Sequence, residues 1–243
     1  MLRPAYRTLR ALRDSRFRGL SRFVQDLVEF KRRSKGELKL TNLNPILHNF
    51  TEEAGYTKGH YFHQDLWAAK KIFERNPREH LDVGSQIGGF VSHVLTFMPV
   101  TAIDIRPLEV SQWGLSFFQE DATEMKRFED NSIDSLSSLH AVEHFGLGRY
   151  GDPVDPEAHI KAMRSFRRVL KPGGRLYFSV PIGQERVEFN AHRVLSPFTV
   201  LDAIALPLVS FCAVDDDGNF QADVEPENYS ASRMACWLFE FTK

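Results

Sequence analysis

The residues best placed for chemistry are three acids, Asp82, Asp104 and Asp121, and the glycine-rich turn that follows Asp82. The turn, Leu81–Gly89, reads LDVGSQIGG, and its glycines would let the backbone approach a ligand at the start of a helix. Asp104 ends the next predicted strand, where a carboxylate can accept hydrogen bonds from ribose hydroxyls. Asp121 follows the third strand, where an acid could bind the amino group of adenine. Each acid alone is ordinary at a strand end, but three in register predict a nucleoside site.

The charge and spacing of this site distinguish between two kinds of cofactor. A nicotinamide dinucleotide needs Gly-x-Gly-x-x-Gly to admit its pyrophosphate, and Gly84, Gly88 and Gly89 do not fit that pattern. Asp82 would also repel a phosphate, whereas S-adenosylmethionine (SAM) carries a sulfonium cation and an ammonium group. The pattern therefore favours SAM. A third alternative is a module of the same fold that binds a nucleoside or a partner without catalysis.

Candidate proton-transfer residues follow the fourth predicted strand. Methyl transfer to a hydroxyl requires alignment of the acceptor and removal of its proton. Glu143 and His144 lie just beyond this strand, and His192 lies on a predicted loop after the fifth strand. We predict that these three residues are catalytic, with one of the histidines as the base. The alternatives are that His144 supports the fold and that His192 belongs to the approach to the next helix.

The loop Gly146–Pro153, with the sequence GLGRYGDP, follows directly. Its glycines permit a tight turn, and Arg149 could bind a carboxylate or a phosphate. With Tyr150 and Asp152, it offers polar groups rather than an aromatic slot for a flat base. We therefore expect a hydroxyl-bearing small-molecule or glycan acceptor.

Two clusters resemble metal ligands, but neither predicts a metal site. His60 and His63 on one predicted helix offer only two imidazoles beside Asp65, so a helix that faces the substrate or the cofactor is the simpler interpretation. The run Asp215–Gly218 could bind Mg²⁺, but a polar turn after a strand explains it more simply.

A regular alternation of strands and helices must position these residues. It implies a doubly wound α/β fold with a mostly parallel sheet of seven strands and right-handed crossovers. The short connection between the last two strands favours an antiparallel pair that closes the sheet. The segment Lys171–Gly174 is expected to end a helix and turn the chain. Predicted strands cover His80–Val83, Val100–Ile105, Ser116–Gln119, Ile133–Leu139, Arg175–Val180, Val209–Val214 and Met234–Phe241, and predicted helices cover 61–75, 88–97, 156–170 and 197–206.

The charge of the chain is divided unevenly. Residues 1–35 contain eleven Lys and Arg against three Asp and Glu, a net charge of +8, whereas residues 36–243 contain 20 basic and 29 acidic residues, a net charge of −9. The body therefore has no nucleic-acid signature. Apolar residues at helical spacing in 2–33 predict one or two amphipathic helices, which either dock on the body or lie on an anionic membrane surface. We divide the chain into a basic arm and linker, 1–59, and a domain, 60–243.

The chain lacks the signals of export or membrane insertion. No apolar run approaches the ~20 residues of a transmembrane helix, and arginines interrupt the N-terminal segment too often for a secretory signal. Cys212 and Cys236 lack metal-type spacing and are interpreted as core thiols of a reducing compartment. We expect a cytoplasmic protein, with peripheral contact at the inner membrane surface if the arm binds lipid.

Taken together, these motifs resemble those of the class I SAM-dependent methyltransferases. The resemblance covers about residues 60–243 and rests on Asp82–Gly88, Asp104, Asp121-Ala122, Leu139–His144 and Arg168–Gly174. Three longer strings are similar to a narrower, poorly characterised bacterial group, the DUF268-like proteins, which often accompany surface-polysaccharide biosynthesis. These strings are Tyr61–Ala69, Glu143–Pro153 and Phe189–Arg193.

The resemblance implies a Rossmann-like fold, SAM as the cofactor, and methyl transfer to a hydroxyl of a sugar, nucleotide sugar or surface-polysaccharide intermediate. One position departs from the usual Asp-x-Gly-x-Gly-x-Gly, because Gln86 replaces the middle glycine. Its side chain either points away from the ligand or narrows the methionine end of the pocket. The predicted cofactor-binding residues are Asp82, Gly84, Ser85, Gln86, Gly88, Asp104, Ile105, Arg106, Asp121, Ala122 and His140.

Overall fold

A computed structural model describes residues 3–36, 38–110, 113–222, 224–229 and 231–243 of the 243-residue chain. The chain divides into two compact units, Met1–Tyr56 and Thr57–Lys243.

The first unit is dominated by one long helix, α1 (Arg3–Arg33), so the basic arm forms one helix rather than two. Its last turn carries Lys31, Arg32 and Arg33, whose charges suit the negative end of the helix dipole. A 3₁₀ turn at Asn49–Thr51 follows. None of the described helices has an apolar stretch sufficient to span a bilayer.

The second unit contains one sheet of eight strands and a separate two-stranded hairpin. In chain order the strands are β1 (His80–Val83), β2 (Val100–Asp104), β3 (Leu115–Gln119), β4 (Ile133–Leu139), β5 (Leu170–Ile182), β6 (Arg186–Glu188), β7 (His192–Val194), β8 (Leu208–Val214), β9 (Phe220–Gln221) and β10 (Ala235–Thr242).

The order across the large sheet is β3-β2-β1-β4-β5-β10-β8-β9. Strands β1 to β5 run parallel, and β10 is antiparallel to both β5 and β8. The predicted α/β fold and its antiparallel C-terminal pair are therefore confirmed. The eighth strand is the two-residue β9, which pairs with the end of β8. Because the chain order reverses between β1 and β4, the loops that follow these strands leave a crevice at the carboxyl edge.

Helices cover both faces of the sheet. Apolar residues of α2, such as Trp67 and Ile72, form one core cluster with Phe90, and Phe166 of α4 and Val200 of α5 belong to the cluster on the other face. The second unit contains α2 (His60–Arg75), a π-type turn (Ile87–Val91) that continues into α3 (Ser92–Leu95), α4 (Ala158–Val169) and α5 (Pro197–Ile204).

The two-residue period of a strand divides its side chains between these faces. In β10, Trp237 packs in the α4 cluster, whereas Cys236 and Leu238 pack in the α2 cluster. Cys236 therefore points to the same side of the sheet as α2.

Two segments differ from the sequence predictions. Helix α4 ends at Val169, and the chain is already extended at Leu170, so Lys171–Gly174 does not end the helix. It forms an irregularity within β5 instead, with Gly173 at φ +77° and its N–H donating to the Lys243 carbonyl at 2.7 Å. The predicted loop around His192 is a hairpin, in which β7 pairs with β6.

Candidate functional site

Two adjoining cavities open at the carboxyl edge of the sheet. The larger has a volume of ≈ 910 Å³ and lies at the ends of β1, β2 and β4. The smaller has a volume of ≈ 110 Å³ and lies at the ends of β2 and β3. Residues that line both cavities include Gly84, Asp104, Arg106, His140 and Tyr150.

The turn after β1 is held by hydrogen bonds to the Asp82 carboxylate. Gly84 has φ +70°, a backbone conformation that residues with a side chain rarely adopt. A Cβ added at Gly84 would also lie 3.0 Å from the Cβ of Ala141. The buried Asp82 carboxylate accepts hydrogen bonds from the Ser85 hydroxyl at 2.6 Å and the Ser85 N–H at 3.1 Å. The Ser85 oxygen accepts the Leu139 N–H at 3.0 Å. Asp82 therefore fixes the shape of the turn and ties it to β4.

A buried polar network continues beneath this turn. Ser137 donates to Asp82 Oδ1 at 2.6 Å, so its oxygen accepts from His80 Nε2 at 2.8 Å. His80 Nδ1 then accepts from the Ser135 hydroxyl at 2.8 Å. Burial raises the pKa of Asp82 to about 6, despite the hydrogen bonds from Ser137 and Ser85. Burial lowers the pKa of His80 to about 3, so this histidine is neutral at pH 7.

Asp65 of α2 reaches the start of the π-type turn. A Cβ at Gly89 would lie 2.7 Å from Asp65 Oδ2, so a side chain at Gly89 would displace that carboxylate. The same Cβ would lie 3.3 Å from Gln86 Oε1, which places the end of the Gln86 side chain over Gly89. Gln86 also lines the larger cavity. Burial raises the pKa of Asp65, although Gln64 donates to it at 3.1 Å.

The Asp104 carboxylate is engaged by Arg106. Asp104 Oδ1 accepts the Arg106 N–H at 2.8 Å and Nε at 2.9 Å, and Oδ2 accepts Nη2 at 2.6 Å. The Arg106 guanidinium also stacks on the Tyr150 ring, 4.3 Å from its centroid. Arg106 and Tyr150 therefore form a bridge where the two cavities meet.

The smaller cavity contains the acid predicted for adenine. Asp121 and Ala122 line it together with Ile105, and Asp121 Oδ1 accepts the Thr123 N–H at 2.8 Å. Gly88 differs from the other predicted cofactor residues, because it lines neither of these two cavities.

His140 and Glu143 form a buried pair at the end of β4. His140 has a left-handed backbone, φ +50°, and its Nδ1 lies 2.7 Å from Glu143 Oε1. Burial lowers the pKa of His140, but Cys236 and Glu143 raise it more, and the result is a pKa well above the usual value. Burial opposes ionisation of Glu143, but His140 makes its pKa lower than usual.

His144 is held in one tautomer. Its Nδ1 lies 2.6 Å from the Ala191 carbonyl, so Nδ1 carries the proton and Nε2 keeps its lone pair. Burial lowers the pKa of His144, although Glu143 opposes the shift. His144 lines both cavities, with Nε2 3.8 Å from Glu143 Oε1. A neutral imidazole with an available Nε2 can accept a proton.

His192 also reaches the larger cavity, from strand β7 rather than from a loop. Its Nε2 lies 3.6 Å from Glu188 Oε2, which is an ion-pair distance and too long for a hydrogen bond. Its role as a base stays a prediction.

The three residues that were predicted to bind the substrate do not all line the same cavity. Arg149 lines the larger cavity and donates to the Ala191 carbonyl at 2.8 Å. Tyr150 lines both cavities. Asp152 lines the smaller cavity and also organises its own loop, because its carboxylate accepts backbone N–H groups of Gly146, Gly148 and Tyr150.

Three buried polar atoms at the larger cavity lack hydrogen-bond partners. They are His140 Nε2, Glu143 Oε2 and His192 Nε2. Buried polar atoms usually have a hydrogen-bond partner, so these three atoms are available to a polar ligand.

Comparison with known proteins bears on the fold. The family model described as "Caenorhabditis protein of unknown function, DUF268" matches residues 111–211, so this part of the chain resembles DUF268 proteins. No curated protein sequence matches the chain.

Solved structures with the same architecture include methyltransferases. A putative sarcosine dimethylglycine methyltransferase from Galdieria sulphuraria aligns with a TM-score of 0.53 at 15% identity, over 74% of this chain and 85% of that chain. The 1,6-didemethyltoxoflavin-N1-methyltransferase from Burkholderia thailandensis aligns with a TM-score of 0.50 at 16% identity, over 92% of this chain and 88% of that chain. The chain has the class I methyltransferase fold. The [4+2]-cyclase SpnF has a similar fold, with a TM-score of 0.54 at 16% identity over 74% of this chain and 81% of that chain.

Within this methyltransferase fold, some residues that line the larger cavity lie in no sequence motif that predicted a role at the site. His60 and Tyr61 begin α2, which was expected to face the substrate or the cofactor, and they line the larger cavity. Met234, directly before β10, and Pro181 of β5 also line it. Neither lies in a chemical motif, and only the pairing of β10 with β5 brings them to this edge.

Proposed function

We propose that this chain is a SAM-dependent methyltransferase that acts on a hydroxyl of a sugar, nucleotide sugar or surface-polysaccharide intermediate. The observation that carries the proposal is the convergence of the predicted acids and the Asp82-held turn on two adjoining cavities. Asp121 lines the smaller cavity, Asp104 lines both, and the turn borders the larger. This arrangement suits a nucleoside whose base occupies the smaller cavity and whose reactive end reaches the larger one.

The charges favour SAM over a nicotinamide dinucleotide. Glu143 is fully buried with its pKa lowered, Asp65 lies at the turn, and Asp82 lies beneath it. These carboxyl groups suit a sulfonium and an ammonium group better than a pyrophosphate. Bound SAM would supply a methyl group already activated by its sulfonium. The Gln86 side chain turns towards Gly89 and forms part of the lining of the larger cavity.

His144 is the better of the two candidate bases. Its Nδ1 is fixed by the Ala191 carbonyl, so Nε2 would be free to take the proton of an acceptor hydroxyl. Arg149 donates to the same carbonyl and lies at the same cavity, where its guanidinium can hold an anionic group of the acceptor. His192, whose Nε2 lacks a hydrogen bond, is the second candidate.

A second candidate function is a nucleoside-binding module without methyl transfer. The observation that favours it is the Arg106 side chain, which occupies most of the Asp104 carboxylate. The fold does not decide between the two functions, since SpnF is described as a cyclase.

The test is transfer of the labelled methyl group of SAM to a panel of nucleotide sugars, glycans and small alcohols. A methylated hydroxyl product, lost in His144→Ala or His192→Ala while S-adenosylhomocysteine (SAH) still binds, supports the enzyme. SAH binding with no product across the panel, and slow or no hydrolysis of SAM, supports the binding module instead.

We also propose a cytoplasmic location, with peripheral membrane contact through α1. In the described part of the arm, Leu20, Val24 and Val28 are exposed at a spacing of four residues, which places them on one stripe of the helix. Arg22, which pairs with Asp26 at 3.5 Å, lies on the same stretch of the helix. Exposed apolar residues among arginines suit an anionic lipid surface.

A further inference from the structure

Three side chains that can hold a metal ion lie together at the larger cavity, two of them in its lining and the third, Cys236, buried next to them. A ring nitrogen of His60, a ring nitrogen of His140 and the sulfur of Cys236 all lie within 4.8 Å of one another. They come from the start of α2, the end of β4 and the start of β10. We propose that these side chains bind a divalent transition-metal ion, and Zn²⁺ is the ion that two imidazoles and one thiolate fit best.

His140 has the environment of a metal ligand. Its Nδ1 is bonded to Glu143 Oε1 at 2.7 Å, so Nε2 is the nitrogen left to ligate. This Nε2 is buried without a hydrogen-bond partner, in a side chain that is 7% exposed. A carboxylate on one imidazole nitrogen and an ion on the other is the usual arrangement at metal sites. The left-handed backbone of His140, at φ +50°, directs the ring and is a local strain of the kind found at functional sites.

The other two side chains complete the set. The imidazoles of His60 and His140 lie face to face, with centroids 5.0 Å apart. The fully buried Cys236 points to the α2 side of the sheet, where both histidines lie. A Cys236 thiolate, with the Glu143 carboxylate bonded to His140, would place two anionic groups near the proposed ion.

To bind one ion, the three donor atoms must move slightly closer to one another. Tetrahedral Zn²⁺ has bonds of about 2.0–2.1 Å to nitrogen and about 2.3 Å to sulfur, so its ligand atoms lie roughly 3.3–3.7 Å apart. The three donors must approach one another by about 1 Å. His60 is the first residue of α2, directly after Gly59 at φ +91°, and is only partly buried, so it can make this movement.

Three protein ligands leave a fourth position for water or substrate. His60 and His140 both line the larger cavity, so that position faces the proposed acceptor site. A metal there would lower the pKa of a bound hydroxyl and align its oxygen. This role in catalysis rests on the proposed function, whereas the binding of the ion does not.

The experiment measures metal binding directly. The full chain, with any affinity tag removed, is stripped with a chelator and titrated with Zn²⁺ and, separately, with Co²⁺. We expect one ion per chain by elemental analysis. We also expect the visible bands of tetrahedral Co²⁺ together with a near-ultraviolet thiolate-to-cobalt charge-transfer band, which reports a cysteine ligand.

The chain offers matched controls for each ligand. Cys236→Ser and His60→Ala should lose stoichiometric metal, and Cys236→Ser should also lose the charge-transfer band. Cys212→Ser changes the other cysteine, and His63→Ala changes a histidine on the same helix that packs against Phe62 and Phe220. Both controls should keep the ion. Glu143→Gln should weaken Zn²⁺ affinity by about 10- to 100-fold, since it supports His140.

The outcomes separate this proposal from the proposed function, because SAH binding is measured by calorimetry on the same samples. A chain that binds SAH but neither Zn²⁺ nor Co²⁺ overturns the metal site alone. Metal bound equally by the parent, Cys236→Ser and His60→Ala also overturns it. A chain that binds one ion but no SAH retains the metal site and contradicts the methyltransferase. Circular dichroism establishes that each variant is folded, and His60→Ala provides the test if the buried Cys236→Ser does not fold.

Discussion

The contact between Asp104 and Arg106 leads to two opposite predictions for ligand affinity: loss of the Arg106 side chain should strengthen binding, and loss of the Asp104 carboxylate should weaken it. A carboxylate has about four acceptor positions, and Arg106 donates three hydrogen bonds to Asp104. About one acceptor position is therefore left on the Asp104 carboxylate. That is too few for a ribose diol, which has two hydroxyls to donate. The Arg106 side chain must release part of the carboxylate when the nucleoside binds.

The magnitudes follow from exposure and charge. The Arg106 side chain is 49% exposed and that of Asp104 is 19% exposed, and solvent limits such an ion pair to about 0.2–1 kcal/mol. Arg106→Ala should therefore tighten SAH binding by up to about 5-fold. Asp104→Ala removes hydrogen bonds to a charged group, worth about 1.5–3 kcal/mol, and should weaken SAH binding by about 10- to 150-fold.

The assay is calorimetric titration of each variant with SAH. Arg75→Ala is the matched control, because Arg75 pairs with Asp134 at 3.0 Å at the opposite edge of the sheet, and SAH affinity should not change. Unchanged affinity in a folded Asp104→Ala variant would remove Asp104 from the ribose role. A loss of affinity in Arg106→Ala would mean that Arg106 binds the ligand rather than competing with it.

Three further predictions concern catalysis, the arm and stability. His144→Ala should lower kcat by about 10²–10⁴-fold with little change in SAH affinity, and near-native turnover in both this variant and His192→Ala would exclude histidine base catalysis. Deletion of 1–33 should abolish salt-sensitive co-sedimentation with anionic liposomes; sedimentation that survives the deletion, or a changed SAH affinity, would contradict a purely membrane role. The destabilisation caused by His80→Gln should shrink by about 2 kcal/mol between pH 7 and pH 5 in chemical unfolding.

The sign of the His80 prediction follows from its lowered pKa. The unfolded imidazole, with a pKa of 6.5, binds a proton below that pH, whereas the folded one does not until about pH 3. The parent therefore loses stability through His80 as the pH falls below 6.5, and a variant without the imidazole does not. Asp82, whose folded pKa of about 6 is raised, acts oppositely between pH 6 and 3.8, so the variant and the parent must be compared at each pH. A cost independent of pH would show that His80 is not buried in its neutral form.

The sequence carried much of the sheet but little of its irregular parts. Strands β1 and β4 have the bounds that were predicted, because a glycine turn follows β1 and a polar cluster follows β4. The hairpin of β6 and β7 was missed, since Arg186–Glu188 and His192–Val194 are too short and polar to show a two-residue period. The two-residue β9 lay within a segment that read as a turn.

The site was predictable where one local motif carries it and not where the fold assembles it. The Asp82 turn, Asp104 and Asp121 follow successive strands, so their meeting follows from a parallel sheet. The loop-organising bonds of Asp152 were not predictable, because they depend on left-handed glycines such as Gly148, at φ +71°, and its role in substrate binding stays a prediction. Cys236 was interpreted as a core thiol because nothing near it in the sequence resembles a ligand.

The account depends most on the identity of the ligand in the two cavities. Calorimetric titration of the full chain with SAH and SAM, beside NADH and NAD⁺, tests this directly. We predict one site per chain for SAH and SAM, weakened in Asp104→Ala, and no heat from either nicotinamide. Saturable binding of NADH without SAH would contradict the proposed function.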